Sequence, residues 1–119
     1  MKKTEKEKLF DKYIKKWVAK TYLGWWHIDV VYYNAYDFVK QCGPSSVDVV
    51  GMCFANWIYM TATIKVNTDK LETLSEEEIE TCALHELMHV ILNEMREEGI
   101  EHEERVATFL ERSFRLAEK

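Results

Sequence analysis

The segment from Ser75 to Gly99 constrains the fold of this chain most, because it predicts one long helix that has to be buried along one side. Its sequence is SEEEIETCALHELMHVILNEMREEG. Ser75 and Glu78 have the spacing of a capping box, and the glutamates of the first turn suit the positive end of the helix dipole. Apolar residues at positions 84, 87, 88, 91, 92 and 95 form one face, and Gly99 is a typical helix end.

The sequence before this helix predicts a helix followed by strands. Apolar residues recur at helical spacing from about Glu5 to Lys20, opposite a series of lysines. The next stretch, WWHIDVVYYN, is β-branched and aromatic and predicts a strand. QCGPSS predicts a turn. The β-rich stretch VDVVGMCFANWIYMTATIKVN predicts two strands, broken near Gly51 or near Ala55 and Asn56, and we expect the second to cover Trp57 to Val66.

A last helix is predicted from about Glu101 to Leu116. Its apolar residues at positions 106, 109, 110 and 114 are expected to face inward. The 119 residues are enough for one domain with one core, so we expect a single domain over residues 1–119. The predicted class is α+β, with an N-terminal helix, a small mainly antiparallel sheet, the long helix and a C-terminal helix.

Charge and cysteine content exclude several classes of protein. The net charge of −5 does not favour binding to nucleic acid, which needs clustered Lys and Arg. The first twenty residues lack the apolar stretch of a signal peptide, and no apolar run is long enough to span a membrane. The three cysteines are odd in number and contain no C-x-x-C pair, which argues against a disulfide framework. We therefore expect a cytoplasmic protein.

The long helix carries two histidines in the sequence HELMH. His85 and His89 are four residues apart, so they lie one turn apart on the same face of the helix. Two imidazoles in this arrangement can bind one zinc ion. Glu86 is rotated by about 100° around the helix axis, where it can reach a water molecule on the metal. This is the H-E-x-x-H pattern, with two metal ligands and Glu86 as the general base.

The HELMH motif on a capped helix behind strands resembles the zincin metallopeptidases. The size and the order of elements are similar to small zincins, namely the minigluzincins and small phage or prokaryotic proteins of the ImmA/IrrE and SprT-like groups. This resemblance implies a zinc-dependent peptidase. It also implies that a strand beside the active-site helix binds the substrate by strand addition, for which the stretch from Trp57 to Val66 is the first candidate.

The third zinc ligand stays open at this stage. VILNEM follows His89 in place of the longer metzincin motif, so the resemblance implies a ligand from the next helix. Helical geometry favours Glu103, which shares a face with the apolar residues at 106 and 110. The SprT-like pattern favours His102. The ImmA/IrrE pattern favours Glu104, which we expect to point mostly outward, like Glu111.

Two functions follow from these residues. In the first, the protein is a zinc peptidase that acts on a peptide or protein substrate. In the second, it is a non-catalytic metal-binding or protein-interaction module with a zincin fold, since a short chain has little material for a deep cleft. The presence of Glu86 favours the peptidase, because a purely structural site has no need of a base. Neither reading involves a nucleic acid or a membrane, and the sequence leaves the oligomeric state open.

Overall fold

The structure is a computed structural model that describes residues 3–97 and 102–118. It is an α+β fold in which a long central helix, α4 (Glu76–Glu97), packs against two other helices and against a three-stranded sheet. Two short 3₁₀ turns cover Tyr22–Trp25 and Pro44–Ser46. The helices and strands are α1 (Glu5–Lys20), β1 (His27–Tyr33), α2 (Ala35–Cys42), β2 (Gly51–Asn56), β3 (Thr61–Asn67), α3 (Thr68–Leu71), α4 (Glu76–Glu97) and α5 (Glu103–Glu118).

The sheet is mixed, so the prediction of a mainly antiparallel sheet is wrong. Its order is β1-β3-β2, with β3 in the centre, parallel to β1 and antiparallel to β2. Gly51 at the start of β2 and Tyr32 near the end of β1 both pair with Val66, so the end of β1 and the start of β2 lie at the same end of the sheet. The chain between them, including α2, therefore stays at that end. β2 then runs back, and the following hairpin inserts β3 between β1 and β2.

The hairpin loop between β2 and β3 consists of Trp57–Met60, so β3 begins four residues later than expected. Two asparagine side chains stabilise this loop by accepting hydrogen bonds from its backbone. Asn56 accepts from the N–H of Ile58 at 3.0 Å, and Asn93 of α4 accepts from the N–H of Trp57 at 2.9 Å. These bonds replace the strand pairing that the apolar sequence of the loop predicts.

The predicted capping box at the start of α4 is confirmed. The backbone N–H of Ser75 donates to the Glu78 carboxylate at 2.9 Å, and the N–H of Glu78 donates to the Ser75 hydroxyl oxygen at 3.2 Å. The predicted end at Gly99 lies outside the described residues. The first helix has the predicted bounds, whereas α2 and the single turn of α3 were not predicted.

The core lies between α4, α1, α5 and one face of the sheet, and it includes Phe10, Trp17, Ile64, Leu84, Leu87, Met88 and Ala107. The inward face of α5 contains Ala107, Leu110 and Phe114. The prediction that Phe109 also faces inward is wrong, because its side chain is 68% exposed. None of the described helices is both long and apolar enough to cross a membrane.

Buried Glu80 of α4 connects the three long helices. Its carboxylate accepts hydrogen bonds from the indole N–H of Trp17 at 2.9 Å and from the Lys16 ammonium at 2.5 Å, both on α1. The guanidinium of Arg115 on α5 lies 3.7 Å from the other carboxylate oxygen. Arg115 also donates to the hydroxyl oxygen of Thr81 at 2.6 Å. These contacts fix which face of α5 meets α4, and that orientation determines which glutamates reach the histidines.

Candidate metal centre

His85 and His89 lie side by side on α4, as their spacing predicts. Their ring centroids are 4.9 Å apart and the rings are nearly perpendicular. His89 is buried, with 7% of its surface exposed, whereas His85 is partly exposed. The pair faces α5 and not the α1 side of α4.

Glu104 on α5 brings its carboxylate against both imidazoles. One oxygen lies 2.7 Å from Nε2 of His89, and the other lies 3.2 Å from Nε2 of His85. Glu104 is expected from the sequence to point mostly outward, because it shares a face of α5 with Glu111. Glu111 is in fact buried, as is Ala107 on the same face, so this is the side of α5 that packs on α4.

Two further carboxylates of α5 lie at the other ring nitrogens. Glu103, the residue that sequence geometry favoured as third ligand, is hydrogen-bonded to Nδ1 of His89. Glu111 lies 3.8 Å from Nδ1 of His85. A carboxylate at the ring nitrogen that does not bind the metal orients a metal-binding histidine and fixes its tautomer. The geometry therefore favours Glu104 as the residue that shares a ligand site with the two histidines and gives Glu103 an orienting position.

The other candidates lie outside this group. His102 precedes α5 with a backbone φ of 69° and is exposed. Among the described residues, the group of side chains that could hold a metal ion consists of His85, His89 and Glu104, whose donor atoms all lie within 4.8 Å of one another. Cys82, one turn before His85, is not in this group, and burial together with nearby carboxylates raises the pKa of its thiol to about 11.

Glu86 faces the sheet on the other side of the histidines. It is buried, and it lines a cleft of about 390 Å³ together with His89 and Glu104. The opposite wall of this cleft is β2 and the turn before it, from Ser45 to Phe54. Gly51 lies directly over Glu86, since a side chain at Gly51 would place its Cβ 3.6 Å from the Glu86 carboxyl carbon. The candidate base is thus inside the cleft, next to the start of β2.

The outer edge of β2 has no partner strand among the described residues, because β2 is an edge strand of the sheet. The prediction that Trp57 to Val66 binds a substrate by strand addition is wrong. Those residues form the hairpin loop and β3, which is paired on both sides. The strand beside the cleft with a free edge is β2, a position that depends on the strand order and therefore was not visible in the sequence.

The charge distribution at the centre is strongly negative. Desolvation raises the pKa of the Glu104 carboxyl, but its charge interactions and hydrogen bonds with His85 and His89 outweigh that effect and hold the pKa below its usual value. His89 has a carboxylate at each ring nitrogen, yet a neutral imidazole has one N–H and can donate to only one of them. A cation bound between Nε2 and Glu104 would leave the Nδ1 N–H to donate to Glu103.

The donor atoms fit a zinc ion in type and in spacing. Two imidazole nitrogens and one carboxylate form a ligand set found in catalytic zinc sites, which keep one position open. Bonds of about 2.0–2.2 Å in a tetrahedral site place ligand atoms about 3.3 Å apart. The Glu104 oxygen that lies 2.7 Å from Nε2 of His89 lies 3.4 Å from Nε2 of His85, and the second of these separations is close to this value. All three donor atoms lie within 4.8 Å of one another, so a small movement of the exposed Glu104 side chain would complete the site.

Comparison of the chain with protein-family models, with curated proteins and with solved structures gives no match. The function is therefore inferred from the geometry of the site and from the motif in the sequence.

Proposed function

We propose that the protein is a zinc-dependent peptidase in which His85, His89 and Glu104 bind the metal and Glu86 is the general base. The observation that carries this proposal is the convergence of two helices on one point. The motif of α4 supplies both histidines, and Glu104 of α5 lies against the Nε2 atoms of both. Glu86 lies in the adjoining cleft, where the H-E-x-x-H pattern requires the base.

Zinc in this site would lower the pKa of a bound water molecule toward about 7 and polarise the substrate carbonyl. Glu86 would act as the base that takes one proton from the attacking water while the water oxygen adds to the carbonyl carbon of the peptide. The same carboxyl group would then deliver the proton to the amide nitrogen, so that the C–N bond breaks and the amine product leaves. Glu86 is buried under Gly51, which limits contacts of its carboxylate with solvent.

The free edge of β2 is the best candidate for binding the substrate backbone. β2 begins beside Glu86 and continues for six residues along the sheet, a length of about 20 Å at the usual rise per residue. A peptide added to this edge would form backbone hydrogen bonds irrespective of its sequence and would pass the metal centre. The side chains of Met52 and Phe54 line the cleft beside Glu86 and would contact the peptide.

The alternative is a non-catalytic metal-binding module. A closed structural zinc site normally has four protein ligands. Among residues 3–97 and 102–118, the group that could hold a metal ion has three members, which leaves a position for water. This count favours the peptidase.

Replacing Glu86 with glutamine separates the two functions. The purified protein is loaded with zinc and tested for cleavage of fluorescein-labelled casein and of a quenched-fluorescence peptide library. We expect Glu86→Gln to lower the cleavage rate by about 10²–10⁴-fold while the zinc content is unchanged. Glu77→Gln, in the exposed first turn of the same helix, is the matched control and should keep full activity. Zinc-loaded wild-type protein that cleaves none of these substrates would support the non-catalytic module, and full activity in Glu86→Gln would exclude Glu86 as the base.

A further inference from the structure

The outer face of α5 has an apolar and basic surface that the metal centre does not use. Phe109 and Leu116 on this face are 68% and 74% exposed, although they are large apolar residues. Together with Arg105 and Arg112 they occupy an arc of about 60° around the helix, opposite Ala107 and Phe114 in the core. We call Arg105, Phe109, Arg112 and Leu116 the α5 stripe. It lines a shallow groove of about 620 Å³.

The two arginines give the α5 stripe a positive charge on a chain with a net charge of −5. Within the described part of the chain, no carboxylate lies at ion-pair distance from Arg105 or Arg112. Exposed arginines beside exposed apolar side chains are typical of protein interfaces, where arginine and aromatic residues are enriched. The charge of the stripe therefore selects a negatively charged partner.

The spacing of the α5 stripe fits a helical partner. Its residues are separated by four, three and four positions, which is the spacing of one face of a helix that packs against another helix. From 105 to 116 the stripe is about 17 Å long, or three helical turns. A second copy of the chain is a poor fit, because a symmetric contact through the same stripe would bring the arginines of both copies together.

The α5 stripe also adjoins the candidate metal centre. Glu104 lines both the stripe groove and the cleft that contains Glu86 and His89. A partner bound along the stripe can therefore continue into the cleft without leaving the surface of the protein. We propose that the α5 stripe binds an acidic amphipathic helix of the substrate protein and so places the neighbouring chain in the cleft. The identity of this partner as the substrate rests on the proposed peptidase function.

The test is the binding of a defined probe to the full-length chain. The probe is a fluorescein-labelled peptide of about 14 residues, with leucine on one face and glutamate on the flanks, in a helical pattern. A second peptide has lysine in place of glutamate. Binding is measured by fluorescence anisotropy in the Glu86→Gln background, so that the probe is not cleaved. We expect the acidic peptide to bind at least about tenfold more tightly than the basic one.

Charge reversal of the stripe locates the binding site. Arg105→Glu combined with Arg112→Glu should weaken the acidic peptide by about tenfold or more and improve binding of the basic peptide. The matched control is Lys12→Glu with Lys15→Glu, two exposed lysines of α1, which should change either affinity by less than about twofold. If the reversed protein does not fold, as judged by circular dichroism, Arg105→Gln with Arg112→Gln replaces it and should still weaken the acidic peptide.

Three results would overturn the proposal: equal binding of the two peptides, an equal loss in the α1 control, or dimerisation through the stripe in sedimentation experiments. The zinc content of the same samples is measured separately. A protein that binds zinc but not the acidic peptide contradicts the docking proposal alone, whereas absence of zinc contradicts the proposed peptidase and leaves the peptide result to stand on its own.

Discussion

Replacing Glu80 with alanine should destabilise the protein strongly, because its buried carboxylate joins α1 and α5 to α4. The substitution leaves the indole N–H of Trp17, whose side chain is 2% exposed, without its acceptor. A buried donor without a partner costs about 1–3 kcal/mol. Loss of the Lys16 ion pair adds about 0.5 kcal/mol, because Lys16 is partly exposed and keeps Glu118 at 2.8 Å. The lost methylene adds about 0.8 kcal/mol.

These contributions amount to a decrease of about 3 kcal/mol in the free energy of unfolding, with Trp17 as the main cause. At about 4 °C per kcal/mol for a chain of this length, Tm should fall by about 12 °C. Chemical denaturation measures the free energy and circular dichroism measures Tm. Glu77→Ala is the control, since Glu77 is exposed and its carboxylate contact with Arg115 is long, at 3.9 Å. This substitution should change the free energy of unfolding by less than about 0.5 kcal/mol.

A double-mutant cycle isolates the contribution of the indole. In a Trp17→Phe background the donor is absent, so Glu80→Ala should cost about 1–2 kcal/mol less than it does in the wild type. Strict additivity of the two substitutions, or a loss in Glu80→Ala no larger than that in Glu77→Ala, would refute the explanation based on the buried hydrogen bond.

Three further results are expected. In competition with a fluorescent chelator, Glu104→Ala should weaken zinc binding by more than about 100-fold. Glu103→Ala should weaken it by about 10–100-fold, because Glu103 acts through Nδ1 of His89. The reverse order would contradict Glu104 as the ligand. Cys82→Ala should keep the zinc content of the wild type, and a loss would place the thiol in the site. The hydrogen bond to Glu76, with burial and nearby carboxylates, raises the pKa of Tyr13 from 10.0 to about 12. The stabilisation from this bond should thus be complete below pH 10.0 and disappear as the pH rises through about 12. Exposed tyrosines titrate with a midpoint of about 10, so ionisation of Tyr13 should appear as a difference in absorbance between wild type and Tyr13→Phe above about pH 11. Identical titrations of the two proteins would contradict the raised pKa of Tyr13.

Local sequence signals predicted the helices that begin with strong caps or have a clear apolar face. α1 has the expected bounds, and the capping box of Ser75 and Glu78 is present because both partners are three residues apart in the chain. The two histidines lie together for the same reason, since a spacing of four residues within one helix determines their geometry.

Features that depend on distant parts of the chain were not predicted. The loop from Trp57 to Met60 has a strand-like composition, but Asn93, 36 residues further on, binds its backbone. The parallel pairing of β1 with β3 depends on the path of the connection that contains α2 and on where that connection returns to the sheet. The choice between Glu103 and Glu104 depends on the rotation of α5 against α4, to which Arg115 contributes by its contact with Thr81.

Phe109 is exposed although its apolar type predicts a position in the core. Phe109 and Leu110 are adjacent, and helical geometry separates them by about 100°, so both cannot lie at the centre of one face. The seven-residue spacing of Phe109 and Leu116, with Arg105 and Arg112 between and before them, was a sequence signal for a second surface.

The most direct test of the central claim is the zinc content of the purified full-length protein, measured by elemental analysis after zinc loading and removal of excess metal. Binding by His85, His89 and Glu104 predicts about one zinc ion per chain, and a large decrease in Glu104→Ala. Absence of stoichiometric zinc in the folded wild-type protein would contradict the metal centre and, with it, the proposed peptidase.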